Sequence, residues 1–278
     1  MPIPDMPLDL ADLVAVAEEA GRLLMEGFRG DAGTRTKSRG DLVTEYDERC
    51  ETLLRERLTA LAPEATVVGE EQGGEVADGW VFYVDPIDGT NNYAHRHPWF
   101  CLSIGLWHHC ADTQPGATPA MGVVHAPAMH RTYAAERGKG AHLNGERLVV
   151  SGTSDLEASL LASGFPSSPW EAPRNNYREF VTLDAHTHGV RRCSGAALEI
   201  AMVAGGSYDG FWDEGLAPWD LAAGALLVLE AGGQVTSLEG APFSLSSGQL
   251  VASNGSVHSA LVHALAHARA LPPLTEVP

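Results

Sequence analysis

Apolar residues recur at helical spacing from the start of the chain. Leu10, Leu13, Val14, Ala17, Leu24 and Phe28 fall on one face of residues 8–29, while acids and Arg22 fill the other. The pattern predicts an amphipathic helix that Gly27 and Gly30 bring to an end. A polar loop is expected from Asp31 to Gly40. A second amphipathic helix is expected over 45–61, with Tyr46, Cys50, Leu53, Leu54, Leu58 and Leu61 on one side and Thr44 as its N-cap. Short apolar runs then read as strands: Thr66–Val68, Val81–Val84 and Cys101–Trp107, followed by Met121–His125 and Arg131–Glu136 as antiparallel partners. Asn144-Gly145 is a hairpin turn signal. Composition turns polar and small around Ser151–Glu157, which marks a candidate boundary between two sub-domains. Beyond it the pattern predicts a strand at Ser159–Ala162, helices over 174–188 and 195–204, a strand at Tyr208–Trp212, a helix over 219–230, strands at Gln234–Thr236 and Leu250–Ala252, and a helix over 256–270. Strands and helices alternate in both halves, so the expected class is α/β or α+β with layered sheets and helices.

A chain of 278 residues corresponds to two domains or one large layered unit, and needs no disulfide to fold. The expectation here is one unit over 1–278 with sub-domains of about 1–150 and 151–278. Charge changes the picture more. Eighteen Lys and Arg against thirty-six Asp and Glu leave −18, which repels nucleic acid and anionic lipid. Neither is expected as a partner. Cys50, Cys101, Cys110 and Cys193 form no CxxC pair and read as reduced thiols of a cytoplasmic protein. The start, Met-Pro-Ile-Pro-Asp, has no signal-peptide pattern, and no apolar run approaches a membrane span. Lone histidines such as His95 and His125 read as surface or core residues.

The candidate chemistry is acidic. Gly69-Glu70-Glu71 follows one strand, Asp85-Pro86-Ile87-Asp88-Gly89-Thr90 follows another, and Trp219-Asp220 opens a helix that continues Leu221-Ala222-Ala223-Gly224. Strand ends and helix starts are where open α/β sheets place their sites. Pro86 is expected to turn the chain so that Asp88 shares a space with Asp85, leaving the Ile87 carbonyl free as a neutral oxygen ligand. Gly89 lets backbone approach a ligand, and Thr90 opens a short helix whose N–H groups suit an anion. Taken singly, these are also ordinary features. Asp-Pro and Asp-Gly are turn chemistry, Glu70-Glu71 suits a solvated loop, Asp220 complements a helix dipole, and Asp47 suits a capping box with Thr44. Their joint occurrence is what counts. Two carboxylates about 4 Å apart repel by roughly 4 kcal/mol at an effective dielectric of 20, so Glu70, Asp85, Asp88 and Asp220 converge only around cations or protons. All-oxygen ligands favour Mg²⁺ over Zn²⁺.

These motifs resemble the inositol monophosphatase family of Mg²⁺-dependent, lithium-sensitive phosphomonoesterases. The resemblance is carried by Lys37-Ser38, Asp41-Leu42-Val43-Thr44 and Asp47, by Gly69-Glu70-Glu71, by Asp85 to Tyr93 with Trp80 and His95, by Gly138-Lys139-Gly140-Ala141 with Asn144-Gly145, and by Trp219 to Gly224 with Glu230 to Gly233. It implies an αβαβα sandwich, a homodimer, and two or three Mg²⁺ per site. It also implies residue roles. Glu70, Asp85 and the Ile87 carbonyl would hold one cation, and Asp85, Asp88 and Asp220 a second. Glu70 with Thr90 would position and deprotonate the attacking water, Asp47 would orient the Thr90 hydroxyl, and the Gly89 and Thr90 amides would receive phosphate oxygens. Asp88, Gly195, Ala196, Asp213 and Asp220 would line the substrate. The implied reaction is in-line attack of water on a small polyol monophosphate, inositol 1-phosphate first. Histidinol phosphatase, fructose-1,6-bisphosphatase and 3′,5′-bisphosphate nucleotidase are the alternatives within the family, and a regulatory protein-binding relative is the alternative outside catalysis. Two departures bear on substrate choice. Asp213 stands where inositol-hydrolysing members carry Glu, and Ser194-Gly195-Ala196 swaps the first two positions of a Gly-Ser/Thr-Ala segment.

Overall fold

The structure, a computed structural model, describes residue 4 and residues 6–30, 33–38, 41–110, 116–165 and 175–271, without the side chains of Lys37, Ser38 and Asp41. Residues 1–3 and 5 of the N-terminal segment, residues 31, 32, 39 and 40 of the expected polar loop, and residue 174 of an expected helix lie outside the described residues.

The elements run in chain order as α1 (Leu10–Arg29), β1 (Arg35–Ser38), β2 (Asp41–Val43), α2 (Glu45–Leu61), β3 (Thr66–Gly69), β4 (Gly79–Asp88), α3 (Thr90–Ala94), β5 (Cys101–His109), β6 (Ala117–Ala126), β7 (Arg131–Glu136), β8 (Gly140–Leu143) and β9 (Glu146–Arg147). The second half adds β10 (Leu161–Ser163), α4 (Tyr177–Asp184), β11 (Val190–Arg191), α5 (Ala196–Ala204), β12 (Gly210–Glu214), α6 (Pro218–Glu230), β13 (Gln234–Thr236), β14 (Gln249–Ser253) and α7 (His258–Ala270). Strands β3 to β9 form a seven-stranded sheet in sequence order, and a five-stranded sheet is ordered β11-β10-β12-β14-β13. Within the first sheet only β3 and β4 are parallel.

Period-two burial builds the layers. On β4, Trp80, Phe82 and Val84 pack with Leu13, Leu24, Leu54 and Leu58 of α1 and α2. Val81 and Tyr83 face the other way, onto Leu198 and Ile200 of α5 and Leu221 and Leu226 of α6. Those two helices also meet Phe211, Leu250 and Ala252 of the second sheet. Its outer face carries Leu183 of α4 and Leu261 and Leu265 of α7 against Trp212 and Val251. The order is thus helix, sheet, helix, sheet, helix. One core cluster holds residues from both sides of the Ser151–Glu157 segment.

Three local expectations change. The polar loop contains a hairpin, β1 paired antiparallel with β2. The helix expected over 174–188 is described over Tyr177–Asp184. Strand β4 does not stop at Val84 but runs through Asp85 and Pro86 to Asp88, so Pro86 does not end the strand. Asp85 pairs with Ser103 and Asp88 with Cys101, which leaves one extra residue on β4. A β-bulge, not a turn, brings the two aspartates together, and Pro sits well there because the ladder is already interrupted. The Asn144-Gly145 hairpin behaves as expected: φ is 51° and 86° at the two residues, as a primed turn requires. The four cysteines are free thiols. No helix among the described residues is long and apolar enough to cross a membrane.

Candidate active site

The bulge at the end of β4 is closed by its own side chain. Asp85 Oδ1 accepts the Ile87 N–H at 2.9 Å. The Thr90 hydroxyl lies 2.9 Å from the Ile87 carbonyl oxygen and 3.2 Å from Asp47 Oδ1. Between them Gly89 adopts φ 92°, and a Cβ there would lie 3.0 Å from the carbonyl oxygens of both Ser194 and Trp99. Only glycine fits this left-handed, crowded position without strain. The chain then enters α3 at Thr90, as the sequence suggested.

Asp220 arrives from the opposite half of the chain on the first turn of α6. Its Oδ2 accepts the Ala217 N–H at 2.7 Å, which fixes both the carboxylate and the helix start. Carboxylate oxygens of Asp85, Asp88 and Asp220 all lie within 4.8 Å of one another. A cavity of about 170 Å³ is lined by these three with Glu70, Ile87, Gly89, Thr90, Asn91 and Ser194. Burial and the charges of Glu70, Asp88 and Asp220 drive the Asp85 carboxyl well above its ordinary range. Asp220 moves the same way, through burial and then Asp88. Asp88 is also raised by burial, although backbone N–H groups at the start of α5 and the Cys101 thiol hold against it. The thiol donates to Asp88 Oδ2 at 3.4 Å and the Leu198 N–H at 3.3 Å. Four acids around one small cavity, with only oxygen donors, fit hard divalent cations: the donor set is right and the charge surplus calls for them.

Asp47 unites two roles that the sequence left as alternatives. Its Oδ2 accepts the Thr44 N–H at 2.7 Å and the Thr44 O–H at 2.6 Å, completing the capping box of α2. Its Oδ1 faces Thr90. Burial outweighs these hydrogen bonds and pushes its carboxyl up to about 6.

The remaining sequence candidates sit apart from the cavity wall. Gly195 and Ala196 do not line it; Ser194, with φ 61°, does. A Cβ on Gly195 would lie 3.4 Å from Asp88 Oδ2, so this segment backs the carboxylate. Asp213 is buried on β12, does not line the cavity, and accepts the Glu214 N–H at 2.8 Å. Burial pushes it up to about 7.

Two supporting carboxylates received no role from the sequence: Glu51 was not singled out, and Glu230 was quoted only as part of a motif. Glu51 of α2 is fully buried, and its two oxygens accept the Glu71 N–H at 2.7 Å and the Gln72 N–H at 3.0 Å. Arg55, one turn on, donates to Glu51 Oε1 at 2.9 Å, to the Val67 carbonyl at 2.9 Å and to the Gly73 carbonyl. Together they clamp the loop that carries Glu70. The signal was present: Glu51 stands three and seven residues before Leu54 and Leu58, on the apolar stripe of the helix. Glu230 at the far end of α6 accepts the N–H groups of Gly138 at 2.8 Å and Gly140 at 2.9 Å. The Gly138-Lys139-Gly140 motif thus anchors the helix that delivers Asp220.

Comparison with known proteins agrees with this geometry. The model of the inositol monophosphatase family matches residues 8–270. An inositol-1-monophosphatase of Synechocystis sp. is 41% identical over 82% of this chain and 77% of its own length. A protein of Pseudomonas aeruginosa named Nus factor SuhB is 39% identical over 88% of this chain and 91% of its own. The structure of an inositol monophosphatase from Anabaena (Nostoc) sp. superposes with a TM-score of 0.85 at 36% identity, covering 96% of this chain and 97% of that one. With a match over nearly its whole length, an αβαβα fold and a carboxylate cluster suited to a metal-dependent phosphatase, the chain belongs to the inositol monophosphatase family.

Proposed function

We propose that the protein is a Mg²⁺-dependent phosphomonoesterase of small polyol monophosphates, with inositol 1-phosphate as the first substrate to test. The observation that carries this is the convergence of Asp85, Asp88 and Asp220 with Glu70 on one cavity, beside a Thr90 hydroxyl in contact with Asp47. Glu70, Asp85 and the Ile87 carbonyl would hold one cation, and Asp85, Asp88 and Asp220 a second. Bound Mg²⁺ supplies Lewis acidity that neutralises phosphoryl charge and eases ionisation of water. Glu70 accepts a proton from the attacking water, Thr90 Oγ1 orients that water, and Asp47 holds the Thr90 hydroxyl. The Gly89 and Thr90 amides receive phosphate oxygens at the start of α3. Gly195 and Ala196 would bear on the polyol from behind the cavity wall, and Asp213, beyond that wall, would accept a hydrogen bond from a hydroxyl group of the polyol. The enzyme works as a cytoplasmic homodimer without nucleic acid or membrane.

A relative named Nus factor SuhB, at 39% identity, supports a second reading, a regulatory protein with a protein partner. Phosphate release from inositol 1-phosphate, histidinol phosphate, fructose 1,6-bisphosphate and adenosine 3′,5′-bisphosphate, each with and without Mg²⁺, separates the readings. Fastest Mg²⁺-dependent release from inositol 1-phosphate is expected. Preference for another of the four moves the substrate within the family, and no release from any of them leaves the regulatory reading standing alone.

A further inference from the structure

A second polar recess lies away from the carboxylate cluster. A cavity of about 520 Å³ lies between α1 and the β6–β7 edge, lined by Glu18, Gly21, Arg22, Met25, Arg29, His125, Pro127, His130, Thr132 and Asn144. That volume falls within the range of small-molecule sites. Its charge is the reverse of the molecule's. In a chain with eighteen basic residues and a net charge of −18, two arginines meet here against one acid, Glu18, with His125 and His130 beside them. Arg96 adds a cation at the same end of α1, donating to the Gly30 carbonyl at 2.8 Å.

The wall is built, not incidental. The His125 ring lies on α1 only because residue 21 is glycine: a Cβ there would come within 2.4 Å of His125 Nε2. His125 Nδ1 pairs with Thr132 Oγ1 at 2.9 Å. His130 holds a left-handed backbone, φ 54°, and its carbonyl accepts from Asn144 Nδ2 at 2.9 Å while Asn144 Oδ1 accepts the Thr132 N–H at 2.8 Å. A non-glycine residue persists in that conformation where its surroundings enforce it. Neither Arg22 nor Arg29 has a salt bridge among the described residues, so both guanidinium groups keep their donors. Burial, then the charge of Arg22, pushes His125 down to about 4.

We propose that this recess is a second ligand site, specific for a small polyanion carrying phosphate or carboxylate groups at two points. Arg22 and Arg29 stand seven residues apart on one helix, about 10 Å along its axis at 1.5 Å per residue, so a ligand with two anionic groups can engage both at once. Guanidinium forks suit both phosphate and carboxylate oxygens. The site is independent of the catalytic reading, because its cations lie outside the machinery assigned above.

Metal-free protein isolates it. Without divalent cations the cluster of Glu70, Asp85, Asp88 and Asp220 repels anions, so any anion that binds does so elsewhere. Chelator-stripped protein, freed of chelator, is titrated calorimetrically with inorganic pyrophosphate and, separately, with citrate. Saturable binding of at least one is expected, weakened about ten-fold by Arg22→Gln and by Arg29→Gln and partly restored by Arg22→Lys. The two arms tell phosphate from carboxylate recognition. Both arginines are exposed, so the variants should melt like the parent. No saturable binding of either probe, or binding equally strong in both glutamine variants, overturns the proposal.

Discussion

Asp47 is the residue where the cap of α2 meets the proposed catalytic machinery. Its carboxylate faces three donors, the Thr44 N–H, the Thr44 O–H and the Thr90 O–H. A protonated carboxyl cannot accept from all three. Burial lifts its pKa to about 6, so the side chain changes state just below neutrality. We expect kcat to fall on the acid side with an apparent pKa near that value, as Asp47 gains a proton and releases Thr90. In Asp47→Asn the amide has a single acceptor oxygen. Losing a charge-assisted hydrogen bond of roughly 1.5–3 kcal/mol predicts about a ten- to hundred-fold lower kcat at pH 8, with the acid limb flattened. A pH–rate profile of the two proteins decides it: full activity with an unchanged acid limb in the variant would remove Asp47 from the mechanism.

At the scale of elements, the site depends on how closely α6 lies on the first sheet. Gly105 on β5 and Gly122 on β6 form the floor under it. A Cβ at Gly105 would come within 2.5 Å of Ala222 Cβ, and one at Gly122 within 2.8 Å of the Ala223 carbonyl oxygen. Trp107 Nε1 donates to the Ala222 carbonyl at 3.1 Å, and the Ser103 hydroxyl to the Trp219 carbonyl at 3.1 Å. Gly122→Ala meets backbone, so the helix must lift. Overpacking of this kind costs about 1–3 kcal/mol, several degrees in Tm for a chain of this size. The lift displaces Asp220, so Mg²⁺ affinity should weaken as well. A variant with parental Tm and parental Mg²⁺ dependence would show that α6 has slack.

This contact also marks the limit of what could be read from the chain. The acids at strand ends, the caps and the alternating layers were legible because they depend on local spacing. Asp85 and Asp88 were read as neighbours across a turn. The bulge that joins them was not foreseen, because an extra residue shows only against the partner strand, here Ser103 and Cys101. The roles of Glu51 and Glu230 were not legible for the same reason: their partners, Glu71 with Gln72 and Gly138 with Gly140, are backbone groups distant in sequence, and backbone leaves no mark in a residue pattern. The small residues Ala222 and Ala223 were noted as part of a motif, while their fit to Gly105 and Gly122 required the crossing itself.

For the whole molecule, the acidic centre is a defect in stability that a ligand repairs. Burial raises the carboxyls of Asp85, Asp88 and Asp220 above the ordinary carboxylate range near 4, and neighbouring charge adds to it at Asp85 and Asp220. A group whose folded pKa exceeds its unfolded one binds more protons when folded. It therefore favours folding below the unfolded value and loses that contribution as pH rises through the folded one. Through these groups, metal-free protein should lose stability as pH climbs from about 4 towards neutrality, and divalent cations should replace the departing protons. The measurement is Tm with and without Mg²⁺ between about pH 5 and pH 8, where the gap should widen with pH. A gap that stayed constant or narrowed would mean that these carboxyls do not share a cation. The cluster is also drawn from both halves of the sequence, two donors on β4 and one on α6. A cation that needs both segments binds the folded chain and not the unfolded one, so it should lengthen the life of the folded protein. On the proposed reading the catalytic centre doubles as a clasp, and the supply of cations sets how long each copy resists unfolding and the proteases that follow it.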